Sequence, residues 1–117
     1  MPKAEALKTN TDYRRAYMRG RSYTNPALVV YVIKNRAGLC RVGITASKKI
    51  GNAVQRNRAR RVIREAFRLI DLPLRGGFDI VFVARTKTVY KKSTEIYEIM
   101  LSMLKKAGIV KNEEASS

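Results

Sequence analysis

Between Lys48 and Arg68 the chain carries six arginines (Arg56, Arg58, Arg60, Arg61, Arg64, Arg68) and two lysines (Lys48, Lys49) against one acid, Glu65. A planar guanidinium grips a phosphate through two parallel N–H groups or stacks on a base, which an ammonium cannot do. So one-sided a run points to a structured polyanion. The plainer reading is a solvated helix face, but such faces normally mix signs and favour Glu–Lys pairs.

Other chemistry is scarce. There is no histidine and only one cysteine, Cys40, which excludes an internal disulfide, a Cys/His zinc site and any His-dependent acid–base machinery. The nine acids are scattered and form no recognisable carboxylate cluster for two-metal catalysis. Cys40 lies in a β-rich run beside Arg41 and is read as a small apolar packing residue.

The whole composition agrees with the basic run. Twenty-five Lys and Arg against nine Asp and Glu give +16, while 45% hydrophobic residues mark a folded body with its charge outside. Such self-repulsion is tolerable when a polyanion neutralises it, and nucleic acid is the leading candidate. No apolar run approaches the roughly 20 residues that span a bilayer, and no signal-peptide core is seen, so a cytoplasmic protein without a membrane partner is expected. A length of 117 residues suits one domain, 1–117, with 112–117 expected as a disordered tail.

The elements that would position the cations can be read from periodicity. Thr9 and Asp12 have capping-box spacing before Tyr13, Ala16 and Tyr17, which predicts a short helix over Thr9–Met18, with Gly20 as its stop. Ala27–Ile33 and Leu39–Ala46 are β-rich runs flanking the turn-forming Asn35–Gly38, and are expected as an antiparallel hairpin. From the N-cap Asn52, the residues Ala59, Val62, Ile63, Ala66, Phe67 and Ile70 recur at helical spacing until Leu72-Pro73. On a helical wheel Arg60, Arg61, Arg64 and Arg68 then fall opposite the apolar stripe. Gly51, just before this helix, either shapes a tight turn or lets backbone N–H groups hold a phosphate.

A strand Phe78–Ala84 follows the Arg75-Gly76-Gly77 turn. Its Phe78, Ile80 and Phe82 share one face, with Val81 and Val83 on the other. A last helix, Ser93–Lys106, places Ile96, Ile99, Met100, Met103 and Leu104 on its apolar stripe, read as core. The order predicts an α+β sandwich with helices mainly on one face of a sheet.

The run Lys48–Phe67, KKIGNAVQRNRARRVIREAF, resembles the RNR signature of the bacterial ribonuclease P protein family. The preceding Arg41–Ser47, the strand ending at Ala84-Arg85 and the helix bearing Asp12-Tyr13 fit the same family's order. The resemblance implies a two-layer sandwich of about four strands and three helices, with a left-handed β-α-β crossover around the basic helix. It implies a non-catalytic subunit of an RNA-based endoribonuclease: the RNA cleaves the phosphodiester bond with its own Mg2+, and the protein supplies no catalytic residue, metal ligand or cofactor. The implied partners are ribonuclease P RNA and precursor tRNA, with no obligate protein partner.

By the same resemblance, Lys48, Lys49, Asn52, Arg56, Asn57, Arg58, Arg60, Arg61, Arg64 and Arg68 would contact the catalytic RNA. Tyr13, Tyr17, Tyr31, Ser47, Lys48 and Arg85 would receive the single-stranded 5′ leader of precursor tRNA. Rings beside cations suit a leader of varied sequence, since every base has a face to stack. Tyr13 and Tyr17 stand where the family often has phenylalanine. Packing of a short helix on a sheet is the alternative reading of the three tyrosines. Two other functions compete: a purely structural RNA-binding protein, which shares the basic sandwich, and an RNA-free nuclease, which would need clustered acids or a general base.

Overall fold

The computed structural model describes residues 4–110, so the expected tail at 112–117 lies outside the described residues. Along the chain come β1 (Glu5–Ala6), α1 (Asn10–Arg19), β2 (Arg21–Asn25), β3 (Leu28–Lys34) and β4 (Cys40–Thr45). After a 3-10 turn at Lys48–Ile50 follow α2 (Ala53–Arg68), β5 (Phe78–Ala84), a second 3-10 turn at Thr86–Tyr90 and α3 (Ser93–Lys106). The strands form one mixed sheet in the order β1-β4-β5-β3-β2, the fifth strand being the two-residue β1.

The expected hairpin between Ala27–Ile33 and Leu39–Ala46 does not form. β5 lies between β3 and β4, antiparallel to the former and parallel to the latter. The reason is burial: Ile80, Val81 and Phe82 are fully buried, so β5 needs cover on both faces and neighbours on both edges. The Asn35–Gly38 turn instead loops over the start of β5, where Asn35 N donates to Gly77 O at 2.8 Å and Gly77 N to Leu39 O at 3.2 Å. The true hairpin joins β2 to β3 through Asn25-Pro26, with Ala27 N donating to the Asn25 side chain at 2.8 Å. Periodicity missed β2 because Arg21–Asn25 has only Tyr23 as an apolar residue.

The helices begin where their caps predict. Thr9 Oγ1 accepts from Asp12 N at 3.1 Å at the head of α1. At α2, Asn52 Oδ1 accepts from Gln55 N at 2.9 Å, and Gln55 Oε1 accepts from Asn52 N at 3.0 Å, a reciprocal capping box. Gly51, at φ 140°, shapes the tight turn ahead of α2, and a Cβ there would fall 1.9 Å from Gln55 Oε1.

The main core lies between α2 and α3 and one face of the sheet, built on Leu28, Val30, Ile63, Ile80, Phe82, Ile96, Met100 and Leu104. Met100 and Met103 are core, as their spacing indicated. α1 packs on the opposite face with a smaller apolar set of Leu7, Ala16 and Val81. β4 and β5 are thus adjacent parallel strands linked through α2, so the loops leaving both emerge at one end of the sheet.

Candidate nucleic-acid interface

That shared end gathers the basic loop. Thr45 pairs with Val83, so Ser47 and Arg85 leave the sheet side by side, each exposed. Each is also the residue just before a 3-10 turn, which carries Lys48 and Lys49 on one side and Lys87 on the other.

α2 departs from this end with its cations sorted into two groups. Arg56 donates through Nη1 to Gly51 O at 2.8 Å, Arg58 through Nε to Val89 O at 3.0 Å, and Arg60 to Asn57 Oδ1 at 3.1 Å and Ala46 O at 3.4 Å. These three hold the loops around the head of the helix. Arg61 and Arg64, with Asn57 between them on the wheel, form the fully outward stripe, and Arg68 continues it beside Glu65 at 3.1 Å. Arg60 therefore differs from its expected place opposite the core: it sits on the flank, half-buried, at the angle where its guanidinium reaches the β4 exit. Asn52 spends its side-chain oxygen on the helix cap.

The opposite face of the sheet carries the tyrosines. Tyr17 and Tyr31 meet edge to face, ring centroids 5.1 Å apart at 81°. The Tyr17 hydroxyl shares a hydrogen bond with Thr45 Oγ1 at 3.2 Å, and Tyr17 is 41% exposed. Tyr13 is more enclosed: its hydroxyl donates to Leu7 O at 3.3 Å and its ring lies on Gly43, where a Cβ would fall 2.3 Å from the hydroxyl oxygen. Burial, and after it the neighbouring Tyr17, raise the Tyr13 pKa, keeping it a neutral phenol. Tyr13 and Tyr31 pack on the small Leu7–Ala16–Val81 core, while Tyr17 presents its ring to solvent. The row Gly43–Val81–Tyr31 and the row Thr45–Val83–Val29 lead from these rings to Ser47 and Arg85.

Three features of this face were absent from the sequence reading. Gly43 is a glycine inside a strand, a recognised sign of close approach, and the ring of Tyr13 is what approaches. Thr45 anchors Tyr17. Asp79, fully buried, accepts from Arg41 Nε at 2.7 Å, Arg41 Nη2 at 2.8 Å and Asn35 Nδ2 at 2.7 Å. Arg41 also lies 3.6 Å from Asp12 on α1, so the buried ion pair ties the first helix to the sheet. No local pattern marks a pair 38 residues apart. Among the described residues no three His, Cys, Asp or Glu side chains come together as a metal site.

The family model described as Ribonuclease P matches residues 1–108. Among curated relatives, the ribonuclease P protein component of Clostridium botulinum (strain Loch Maree / Type A3) is 42% identical over 108 residues, covering 92% of this chain and 97% of that one. That of Clostridium novyi (strain NT) is 44% identical over 111 residues, covering 93% and 98%. Among solved structures, the RNase P protein of Staphylococcus aureus superposes with a TM-score of 0.78 at 36% identity, covering 92% of this chain and 99% of that one. That of Thermotoga maritima gives 0.73 at 32% identity, covering 87% and 96%.

Proposed function

This chain belongs to the ribonuclease P protein family, and from that premise we propose that it is the protein subunit of a ribonuclease P holoenzyme, binding the catalytic RNA and the 5′ leader of precursor tRNA. The RNA carries the phosphodiester hydrolysis with its own magnesium.

The observation that carries the reading is the unneutralised surface of α2 and its loop. Among the eight cations from Lys48 to Arg68, only Arg68 has a carboxylate within 4 Å among the described residues. Lys48, Lys49, Arg61 and Arg64 would take phosphates of the catalytic RNA, with Arg56, Arg58 and Arg60 fixing the loops that present them. On the other face, Tyr17 would stack a leader base, Tyr13 and Tyr31 would form its floor, and Ser47, Lys48 and Arg85 would meet the adjoining phosphates. The protein's work is positioning: it holds the substrate strand and the catalytic RNA in one orientation.

The test is cleavage of labelled precursor tRNA at low magnesium by bacterial ribonuclease P RNA, with and without this protein. Strong stimulation at the mature 5′ end, with no cleavage by protein alone, is expected. Tight RNA binding without stimulation would favour a purely structural RNA-binding protein, and cleavage by protein alone an RNA-free nuclease.

A further inference from the structure

A second cationic surface lies at the other end of the sheet, away from α2's basic loop. Lys34 ends β3 opposite Phe78, the first residue of β5, whereas Arg85 follows the last. Seven strand residues, roughly 23 Å at about 3.3 Å each, separate the two ends. On α1, Arg15 and Arg19 flank the sheet-facing Ala16 on the side away from Tyr13 and Tyr17.

There two adjoining hollows share Arg19, Ile33 and Lys34. Together they are bounded by Arg15, Arg19, Arg21, Lys34, Arg36 and Arg75, with Tyr23 and Phe78 in the wall. None of the six cations has a carboxylate within 4 Å among the described residues. Arg15 donates through Nη2 to Lys34 O, yet its Nε is buried with no acceptor among the described residues. The Arg75 guanidinium lies 5.6 Å from the centroid of the Phe78 ring.

Six like charges around one concavity repel each other unless an anion joins them. Five of the six are arginines, the side chain suited to bidentate phosphate contact. The larger hollow, about 460 Å³, is nucleotide-sized rather than ion-sized. A concave groove with aromatic walls accepts a strand, whereas a bilayer surface is flat.

We propose that this groove is a second binding site for the phosphodiester backbone of RNA, so that the protein grips RNA at both ends of its sheet. The proposal rests on the RNA-binding role above and adds to it a site outside the α2 surface and the tyrosine face. The strand can come from the catalytic RNA or from precursor tRNA.

The test uses the full chain carrying Arg19→Ala, Arg21→Ala and Arg75→Ala, exposed positions whose loss is expected to leave the fold intact, with circular dichroism as the check. Salt titrations of filter binding are run on ribonuclease P RNA alone and on precursor tRNA added to the assembled RNA–protein complex. In one arm the affinity is expected to fall roughly tenfold and the slope of log K against log salt to fall by about 0.7–0.9 per phosphate released. The arm that responds identifies the strand. A control with Lys8→Ala, Arg14→Ala and Lys92→Ala removes equal charge at exposed positions outside the groove and is expected to lose less.

Equal losses in the control would overturn the site. So would unchanged binding in both arms while Arg61→Ala/Arg64→Ala weakens it, a result that leaves the subunit role standing. Capture by phosphatidylserine vesicles that the triple variant loses, with RNA binding unchanged, would assign the groove to membrane and also overturn it. Wild-type protein that binds neither RNA would instead sink the subunit role, and this site with it.

Discussion

Tyr17 separates from the other two tyrosines by exposure. Tyr13 and Tyr31 are claimed by the small core, as the packing reading expects, which leaves the exposed Tyr17 as the tyrosine we propose for the leader. Tyr17→Ala is expected to weaken precursor tRNA binding to the holoenzyme by about 5- to 150-fold, the equivalent of roughly 1–3 kcal/mol of stacking, while mature tRNA, which lacks the leader, is unaffected. Tyr17→Phe keeps the ring, loses only the bond to Thr45, and should retain most of the affinity; comparative titration of both tRNAs checks this. Equal losses for both tRNAs would make Tyr17 a core residue. Cys40 is chemically quiet by the same kind of argument. Burial, and after it Asp79, push its thiol up from 9.0 to about 11. At pH 8 its thiolate population should be about 100-fold below that of an exposed thiol, so a disulfide reagent should label it slowly until denaturant is added. The sign on stability follows. Between about 9 and 11 the unfolded chain loses a proton that the folded chain keeps, so stability should fall as pH rises through that window.

At the scale of the element, α2 divides labour between its flank and its outward stripe. Arg56, Arg58 and Arg60 bond backbone carbonyls of the neighbouring loops, whereas Arg61 and Arg64 make no such bond among the described residues. Arg61→Ala/Arg64→Ala should therefore leave stability within about 0.5 kcal/mol of the parent, because nothing buried is unpaired. It should reduce the salt slope of catalytic-RNA binding by about 0.7–0.9 per phosphate lost. Paired thermal melts and filter-binding titrations measure both; an unchanged slope would remove the stripe from the interface. Arg60→Ala is a less clean probe, since it also frees the β4 exit at Ala46.

For the molecule as a whole, a charge of +16 on 117 residues makes self-repulsion a folding term as well as a binding one. Of the cations, only Arg41, Arg68 and Lys91 pair with carboxylates among the described residues. Raising salt from low to physiological strength should raise the thermal midpoint, by about 2–8 °C for each kcal/mol of repulsion relieved. Stoichiometric RNA should raise it further through binding to the folded state alone. A midpoint that fell with salt would mean that attractive pairs outweigh the repulsion.

The sequence by itself determined the helices, the central strand, the cationic run and the lack of any histidine, because caps, periodicity and composition are local. Thr9 with Asp12, Asn52 with Gln55, and the alternation from Phe78 to Ala84 each involve neighbours a few residues apart. Tertiary structure alone decided which strands pair, since β3 and β4 carry equally good β-runs and only the burial of β5 puts it between them. It also decided which arginines face out, which tyrosine stays exposed, how Arg41 and Asp79 tether α1, and that Arg19, Arg21 and Arg75 share one groove. These are contacts between residues tens of positions apart, set by packing rather than by any local pattern.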